Sequence, residues 1–348
     1  MSDVVSEWLP LLEDFLFEHG LLAVQVFLVV GGYLNAKSWT RALSRAEFNV
    51  LPRVWARYGR LAIPLLVALS LTVLVTALVR PFFDHSSLSA PPSPEKILAH
   101  IFFLQDILYL EAFSAGVWYV AIDFQLFVMA IATAWLAHTW QRLEGRGSVI
   151  RKALLFWIAL TLGSIFVWNL NPLGEIWGAY FFSAYGLGLC VGCWRHAGLR
   201  LSHSSLALMI ILLGTIATAY QPRIRLVVAV VVAVLLSFYE ASDCRPIAPL
   251  KARWIHALSN ASYAIFLIHF GTSLVVSAIV FNFWSENIPI NLMGLLFSFA
   301  ASVGLGRLIH LRIESKPPTL QRVAVWALVF TASSVTAMWL SESAFGFR

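Results

Sequence analysis

The chain is dominated by apolar runs long enough to cross a membrane, and this feature constrains its fold more than any other. A membrane-crossing helix needs about 20 predominantly apolar residues, and ten segments reach or approach that length. They lie near residues 20–36, 60–80, 115–138, 153–169, 177–194, 204–220, 224–239, 257–283, 290–309 and 323–340. Only 12% of the residues are charged, against about 25% in soluble domains. The sequence therefore predicts an all-α, polytopic bundle of about ten transmembrane helices that forms one domain over residues 1–348.

Basic residues alternate between the connecting loops and predict the orientation of the bundle. Loops 37–57, 139–152, 195–203, 240–256 and 310–322 carry Lys and Arg, whereas loops 81–114, 170–176 and 284–289 carry few. Because Lys and Arg concentrate in cytoplasmic loops, we expect the first group to be cytoplasmic and both termini to be extracytoplasmic. Arg223 and Arg225 are a local exception. The net charge of +6 has the same origin, so no nucleic-acid partner is expected.

An outward N-terminus is unusual, because residues 1–19 would have to be translocated with no helix before them. This stretch is acidic, contains no Lys or Arg, and lacks the basic start of a signal peptide. We therefore expect the chain to lack a first transmembrane helix that its relatives carry.

Several short patterns indicate packing or an interfacial position rather than chemistry. Cys190 and Cys193 form a C-x-x-C inside an apolar helix, where packing is the expected role, and Cys244 completes no disulfide framework. Gly188 and Gly192 stand four residues apart, which predicts close helix packing. The apolar stretch 97–110 is broken by polar residues and fits a re-entrant or an interfacial helix.

One carboxylate, that of Asp123, lies in the middle of a predicted span. A charged group at bilayer depth costs roughly 2.5–3.5 kcal/mol on insertion scales, so it usually points into the bundle and meets a partner, a water-filled cavity or a substrate. Gln125 follows it two residues later. The structural alternative is an ion pair or a hydrogen bond between helices. By default an ionisable residue at this depth is a candidate for a functional site.

Two histidines are candidates for a catalytic base. His269 lies in a span that is predicted to run outward, so it falls in the outer half of the bilayer, as Asp123 does. His19 lies at the outer mouth of the first span. A histidine paired with a carboxylate can take a proton from a hydroxyl group. The alternatives are a hydrogen-bonded structural histidine at 269 and an ordinary interfacial histidine at 19.

Three arginines stand at helical spacing at the cytoplasmic mouth of a span. Arg53, Arg57 and Arg60 are separated by four and three residues, which places them on one face of a helix. Guanidinium groups bind phosphates through two hydrogen bonds and keep their charge when partly buried. The cluster therefore indicates either a seat for a phosphorylated, CoA-like donor or an anchor to lipid headgroups.

Five motifs in this order resemble those of the membrane acyltransferase-3 family, which are integral-membrane O-acyltransferases. They are A-V-Q-V-F-L-V-V-G-G-Y-L at 23–34, R-Y-G-R-L-A-I-P at 57–64, W-Y-V-A-I-D-F-Q-L-F at 118–127, S-Y-A-I-F-L-I-H at 262–269 and L-R-I-E-S-K-P at 311–317. The resemblance covers about residues 19–317. It implies transfer of an acyl group, often acetyl, from acyl-CoA to a hydroxyl of a cell-surface glycan or lipid-linked sugar. It also implies a lipid environment in the bacterial inner membrane and no permanently bound cofactor.

The resemblance also assigns positions to individual residues. Arg57 and Arg60 would take the donor-binding positions, beside Arg53, and Asp123 would take the position of the family's acidic residue, shortened from Glu. His269 and Glu314 would hold positions thought to shape the fold and the site. Asp123 would then orient the base, and His269 or His19 would be the base. The sequence has no Gly-x-Ser-x-Gly elbow, P-loop or metal-ligand spacing, so we expect direct transfer without a metal.

The sequence also departs from the family pattern. Gln25 stands in place of an Asp, Gly31 in place of a Ser and Asp123 in place of a Glu. We also expect the family's first helix, with its early Arg and outer His, to be missing. His19 could substitute for that His. These departures keep a second function open: a non-catalytic glycan or lipid-sugar transporter or scaffold of the same fold, as in a truncated or decayed member. Proton-coupled transport is a third alternative, because intramembrane Asp and His residues also mark proton paths.

Overall fold

The computed structural model describes residues 10–43, 48–83, 85, 87–198, 202–242 and 252–345. All regular secondary structure in these ranges is helical, which confirms the predicted all-α class. The helices are α1 (Pro10–His19), α2 (Ala23–Leu43), α3 (Leu51–Val79), α4 (Pro94–Ile101), α5 (Val117–Glu144), α6 (Val149–Phe166), α7 (Gly178–Cys193), α8 (His203–Tyr220), α9 (Ile224–Ala241), α10 (Arg253–Trp284), α11 (Ile288–Ile309) and α12 (Leu320–Phe345).

Nine segments of the described chain are long and apolar enough to cross a membrane. They are Gly20–Leu43, Leu51–Val79, Val117–Glu144, Val149–Leu170, His203–Tyr220, Ile224–Ala241, Arg253–Trp284, Ile288–Glu314 and Leu320–Glu342. The tenth predicted span corresponds to α7, which has only 16 residues and is about 24 Å long at 1.5 Å per residue. Every residue of α7 except Ala179 is buried, as expected of a helix that is apolar all round.

The described residues form two compact units. The first contains residues 10–15, 55–121 and 252–345, and the second contains residues 16–54 and 122–242. The prediction of one domain over the whole chain stays a prediction.

In the second unit, α2 and α7 pack with their backbones in contact. A Cβ atom on Gly188 would lie 1.9 Å from the Val29 carbonyl oxygen, and one on Gly192 would lie 2.5 Å from the Tyr33 carbonyl oxygen. No side chain fits at either position, which confirms the predicted packing role of these two glycines. The nearby thiols of Cys190 and Cys193 are buried and free, and Cys244 lies outside the described residues.

In the first unit, α3 and α10 lie side by side and run in the same direction. The Tyr263 hydroxyl donates to the Leu61 carbonyl oxygen over 2.9 Å. Further along both helices, a Cβ atom on Gly271 would lie 2.9 Å from Thr72 Oγ1. Because the second contact is later in both helices than the first, the two helices are parallel. This agrees with the prediction that both spans run outward.

The segment between α3 and α5 is re-entrant and contains α4. The Tyr58 hydroxyl donates to the Ile101 carbonyl oxygen at the end of α4, over 2.7 Å. Tyr58 lies near the start of α3, about 30 Å along the helix axis from its last residue at 1.5 Å per residue. The chain therefore leaves the far end of α3 and returns almost to its beginning. Of the two alternatives for residues 97–110, this path agrees with the re-entrant one and not with the interfacial one.

His100 holds the two arms of the re-entrant segment together. Its Nδ1 donates to the Lys96 carbonyl oxygen over 2.7 Å, and its Nε2 accepts from the Phe113 backbone N–H over 3.2 Å. The imidazole stacks on the Phe113 ring with the centroids 4.4 Å apart. Burial lowers the pKa of His100 from 6.5 to about 4, so this imidazole is neutral and structural at physiological pH.

Candidate functional site

Asp123 is buried within α5, with 5% of its surface exposed. The sequence predicted that this carboxylate points inward, away from lipid, and its burial agrees with that. It belongs to the second unit, as does His19. His19 ends α1 and is half-buried, directly before the short 3-10 turn Gly20–Leu22.

Gln125 ties the loop before α7 to α5. Its Oε1 accepts from the Gly178 N–H over 2.7 Å, and its Nε2 donates to the Ile176 carbonyl oxygen over 3.3 Å. A Cβ atom on Gly178 would lie only 2.9 Å from the Gln125 Cβ, so the close approach depends on glycine. Gln125 therefore fixes the loop two residues from Asp123, a positioning role that the sequence left unassigned.

His269 lies on α10 in the first unit and is exposed, so the structure does not bury it as it buries Asp123. Its Nδ1 donates to the Phe266 carbonyl oxygen, one turn earlier. Since a carbonyl oxygen only accepts, this bond is made by Nδ1–H, and in the neutral imidazole the lone pair is then on Nε2. A neutral imidazole in this tautomer is suited to accept a proton from a substrate hydroxyl through Nε2.

The three arginines lie in the first turns of α3. The Arg53 guanidinium lies 5.2 Å from the centroid of the Phe48 ring, which is the geometry of a cation–π contact. Arg53 and Arg57 are half-buried and Arg60 is exposed. Arg53 belongs to the second unit, whereas Arg57 and Arg60 belong to the first, with His269.

Within the first unit, Arg57 and Arg60 lie on one helix and His269 lies on a second helix in contact with it. Leu61, the residue after Arg60, accepts the hydrogen bond from Tyr263 on α10. His269 is six residues beyond Tyr263, which is about 9 Å further along the helix axis. The first unit therefore places the two guanidinium groups near the start of α3 and the His269 imidazole about 10 Å further along the helix axis, on α10.

Sequence reasoning missed a hydrogen-bonded polar pair in the re-entrant segment, one member of which is buried. Gln105 is fully buried, and its Nε2 donates to Asp106 Oδ2 over 2.7 Å. Burial raises the pKa of the Asp106 carboxyl above its ordinary value. The available signal was two adjacent polar residues inside an apolar stretch. What the sequence did not show is that this stretch contacts α3 at Tyr58, next to Arg57.

Glu314, which the resemblance placed among the residues that shape the fold, ends the π-helical turn His310–Glu314 after α11. Its Oε2 lies 3.0 Å from His310 Nδ1. Arg322 of α12 donates to the Ile313 carbonyl oxygen over 2.6 Å and to the Pro317 carbonyl oxygen over 2.8 Å. These contacts connect α11 to α12, so the motif at residues 311–317 has a structural role.

The nine long apolar segments of the described residues indicate an integral membrane protein. The comparison with protein families agrees with this class. The chain belongs to the acyltransferase-3 family, because the family model described as an acyltransferase domain matches residues 3–307. This confirms the resemblance and makes the protein a membrane acyltransferase; the matched residues contain the first four motifs, and the fifth, at 311–317, lies beyond them. No curated protein and no solved structure matches the chain.

Proposed function

We propose that the protein is an O-acyltransferase of the bacterial inner membrane. It moves an acyl group, often acetyl, from acyl-CoA on the cytoplasmic side to a hydroxyl of a cell-surface glycan or lipid-linked sugar. Besides the family match, one observation supports this proposal: Arg57 and Arg60 on α3 and His269 on α10 belong to parallel helices in direct contact. A phosphorylated donor held at the arginines could extend along α3 toward the imidazole.

The proposed binding site for acyl-CoA depends on the positive charge of the three arginines at the start of α3. Arg57 and Arg60, with Arg53 one turn before them, lie in the first turns of α3, at the end that loop charge predicts to be cytoplasmic. The phosphates of CoA are the part of the donor that such groups recognise. Acyl-CoA is here a substrate and not a resident cofactor.

The chemical step is a direct transfer. The Nε2 of His269 accepts the proton of the acceptor hydroxyl as its oxygen attacks the thioester carbonyl carbon. The C–O bond forms, the C–S bond breaks, and the CoA thiolate leaves and takes the proton from the imidazolium. His19 is the second candidate for the base, and Asp123, which belongs to the same unit, would orient it and favour its imidazolium form electrostatically.

The donor assignment is tested with purified protein in proteoliposomes and two donors, acetyl-CoA and S-acetylpantetheine, which lacks the phosphates. We expect Arg57→Ala and Arg60→Ala each to raise the KM for acetyl-CoA about 10- to 100-fold, the loss expected for a charge-assisted hydrogen bond. The KM for S-acetylpantetheine should not change. Arg146→Ala, in the exposed loop after α5, is the matched control for loss of positive charge. An equal rise in KM for both donors would show that the arginines do not bind the phosphates.

The base assignment is tested by acetyl transfer to surface saccharides in Asp123→Asn, His269→Gln and His19→Gln. We expect Asp123→Asn and one of the two histidine variants to lose transfer while the protein still inserts and purifies as a single species. Full transfer in both Asp123→Asn and His269→Gln would defeat the site assignment. If the wild-type protein releases no CoA with any hydroxyl acceptor, the enzymatic proposal itself fails.

A further inference from the structure

The loop between α6 and α7, in the second unit, carries two exposed tryptophans. Trp168 is 40% exposed and Trp177 is 49% exposed, and Leu173 between them is 81% exposed. The loop consists of two short 3-10 turns, Trp168–Leu170 and Pro172–Ile176. We call residues 168–177 the Trp168–Trp177 platform. The alternation of basic loops predicts that this loop is on the extracytoplasmic side, where the proposed acceptor would be.

Both ends of the platform are held in place. At one end, the Trp168 ring lies 3.0 Å from the position that a Cβ on Gly163 would occupy, so it packs closely on α6. At the other, the two hydrogen bonds of Gln125 fix the backbone on either side of Trp177. A preordered aromatic surface loses little conformational freedom on binding, which favours a binding role.

The same loop carries a carboxylate that is paired with an arginine and a tyrosine. Glu175 Oε1 accepts from Arg225 Nη1 over 2.7 Å and from the Tyr180 hydroxyl over 3.1 Å. The side chains of Glu175 and Arg225 are still 42% and 33% exposed, so both keep surface for a ligand. Because they pair with each other, their charges offset, and this pair suits a neutral polar ligand better than an anion.

The same contacts account for the two basic residues that broke the loop pattern. Arg223 Nη1 donates to Asn169 Oδ1 over 2.7 Å and to the Ile165 carbonyl oxygen over 2.9 Å. Arg223 and Arg225 thus fasten the start of α9 to the loop before α7. Their place on the extracytoplasmic side has a local structural cause, and it does not contradict the predicted orientation.

We propose that the Trp168–Trp177 platform is the acceptor subsite and binds neutral sugar rings, an inference that rests on the proposed function. The C–H faces of a pyranose ring pack on the flat faces of indoles, which bury a large apolar area on a rigid group. Exposed oxygens of Glu175 and donors of Arg225 can bond the ring hydroxyls. Gln125 holds this surface against α5, the helix that carries Asp123.

Interfacial tryptophans also anchor helices in membranes generally, so the test must separate anchoring from ligand binding. Trp284, the last residue of α10 and 47% exposed, is a matched interfacial tryptophan in the first unit. An anchoring role predicts that Trp177→Ala and Trp284→Ala behave alike.

Binding is measured on the detergent-purified full chain without acyl-CoA, so that no transfer occurs, using an array of neutral oligosaccharides that includes maltohexaose and tetra-N-acetylchitotetraose. We expect Trp177→Ala to weaken saccharide binding about tenfold, the size of one aromatic stacking contact. Trp284→Ala should bind as the wild type does. Trp177→Phe, which keeps an aromatic ring and hence the packing, should fall between the wild type and Trp177→Ala. In the transfer assay, Trp177→Ala should raise the KM for the acceptor and leave that for acyl-CoA unchanged.

The platform is overturned if no saccharide binds the wild type, or if Trp177→Ala and Trp284→Ala bind equally well. Saccharide binding that depends on Trp177, in a protein that transfers no acyl group, would support the platform and refute the enzymatic proposal. The two proposals can therefore fail separately.

Discussion

Replacement of Gly188 by alanine should separate two central helices of the second unit. The added Cβ would lie 1.9 Å from the Val29 carbonyl oxygen, whereas carbon and oxygen normally approach to about 3.3 Å. Helices α2 and α7 would therefore have to move apart by about 1.4 Å at this point, the difference between those two distances. Gly192, one turn later, shares the same interface through the Tyr33 carbonyl oxygen.

The expected cost follows from this displacement. Overpacking of a tight interior costs about 1–3 kcal/mol, and a gap of about 1 Å forfeits up to half of the dispersion energy of the atoms that border it. Alanine recovers about 0.5–1 kcal/mol through its better helix propensity. We therefore expect Gly188→Ala to lower the free energy of unfolding by about 2 kcal/mol, the upper overpacking figure less that gain.

The measurement is equilibrium unfolding in mixed detergent micelles, followed by near-ultraviolet circular dichroism. Gly304→Ala is the matched control, because a Cβ on this α11 glycine meets no atom within 4 Å. It should leave stability unchanged or raise it by up to about 1 kcal/mol. If Gly188→Ala is as stable as Gly304→Ala, then α2 and α7 are not in backbone contact and the reasoning is wrong.

Three further predictions concern single side chains. Since the His100 pKa lies at about 4 in the folded chain and at 6.5 unfolded, the unfolded state takes up the proton first as the pH falls. The re-entrant segment should therefore lose up to roughly 3 kcal/mol of stability between pH 6.5 and pH 4. Hydrogen exchange of residues 94–113 measures this, and an unchanged slope in His100→Gln would assign the effect to another group. Gln125→Ala removes both hydrogen bonds to the loop before α7 and should destabilise the folded loop by about 1–3 kcal/mol. The measurement is the rate of proteolysis within residues 171–178, which should rise. An unaltered cleavage rate would show that Gln125 does not hold this loop. In His269→Asn the amide can keep the bond to the Phe266 carbonyl oxygen but offers no basic nitrogen. Acyl transfer should therefore stop in a normally folded protein. Full activity of this variant would assign the base to His19.

The sequence predicted which helices carry the candidate residues. It predicted less well how exposed each side chain is. The spacing of Arg53, Arg57 and Arg60 placed them on the first turns of one helix, which the structure shows, and the burial of Asp123 agrees with its predicted inward position. The exposure of His269 was not foreseen. An exposed fraction depends on which neighbours a helix face meets, and these come from other parts of the chain.

The sequence by itself determined the helical membrane class, most of the spans, the loop alternation and the tight glycine contacts. Each of these depends on local properties: about 20 apolar residues suffice to cross a membrane, and a glycine pair permits close approach whatever its partner. The family followed from the order of short motifs.

Only the tertiary structure decided that the short α7 is buried in protein, that the segment around α4 is re-entrant, and that Gln125 and Arg225 order the loop before α7. The physical reason is that a buried polar group must find a partner, and the partner can be remote in sequence. Gln125 and Gly178 are 53 residues apart, and Arg225 and Glu175 are 50 apart. No local pattern specifies such pairs.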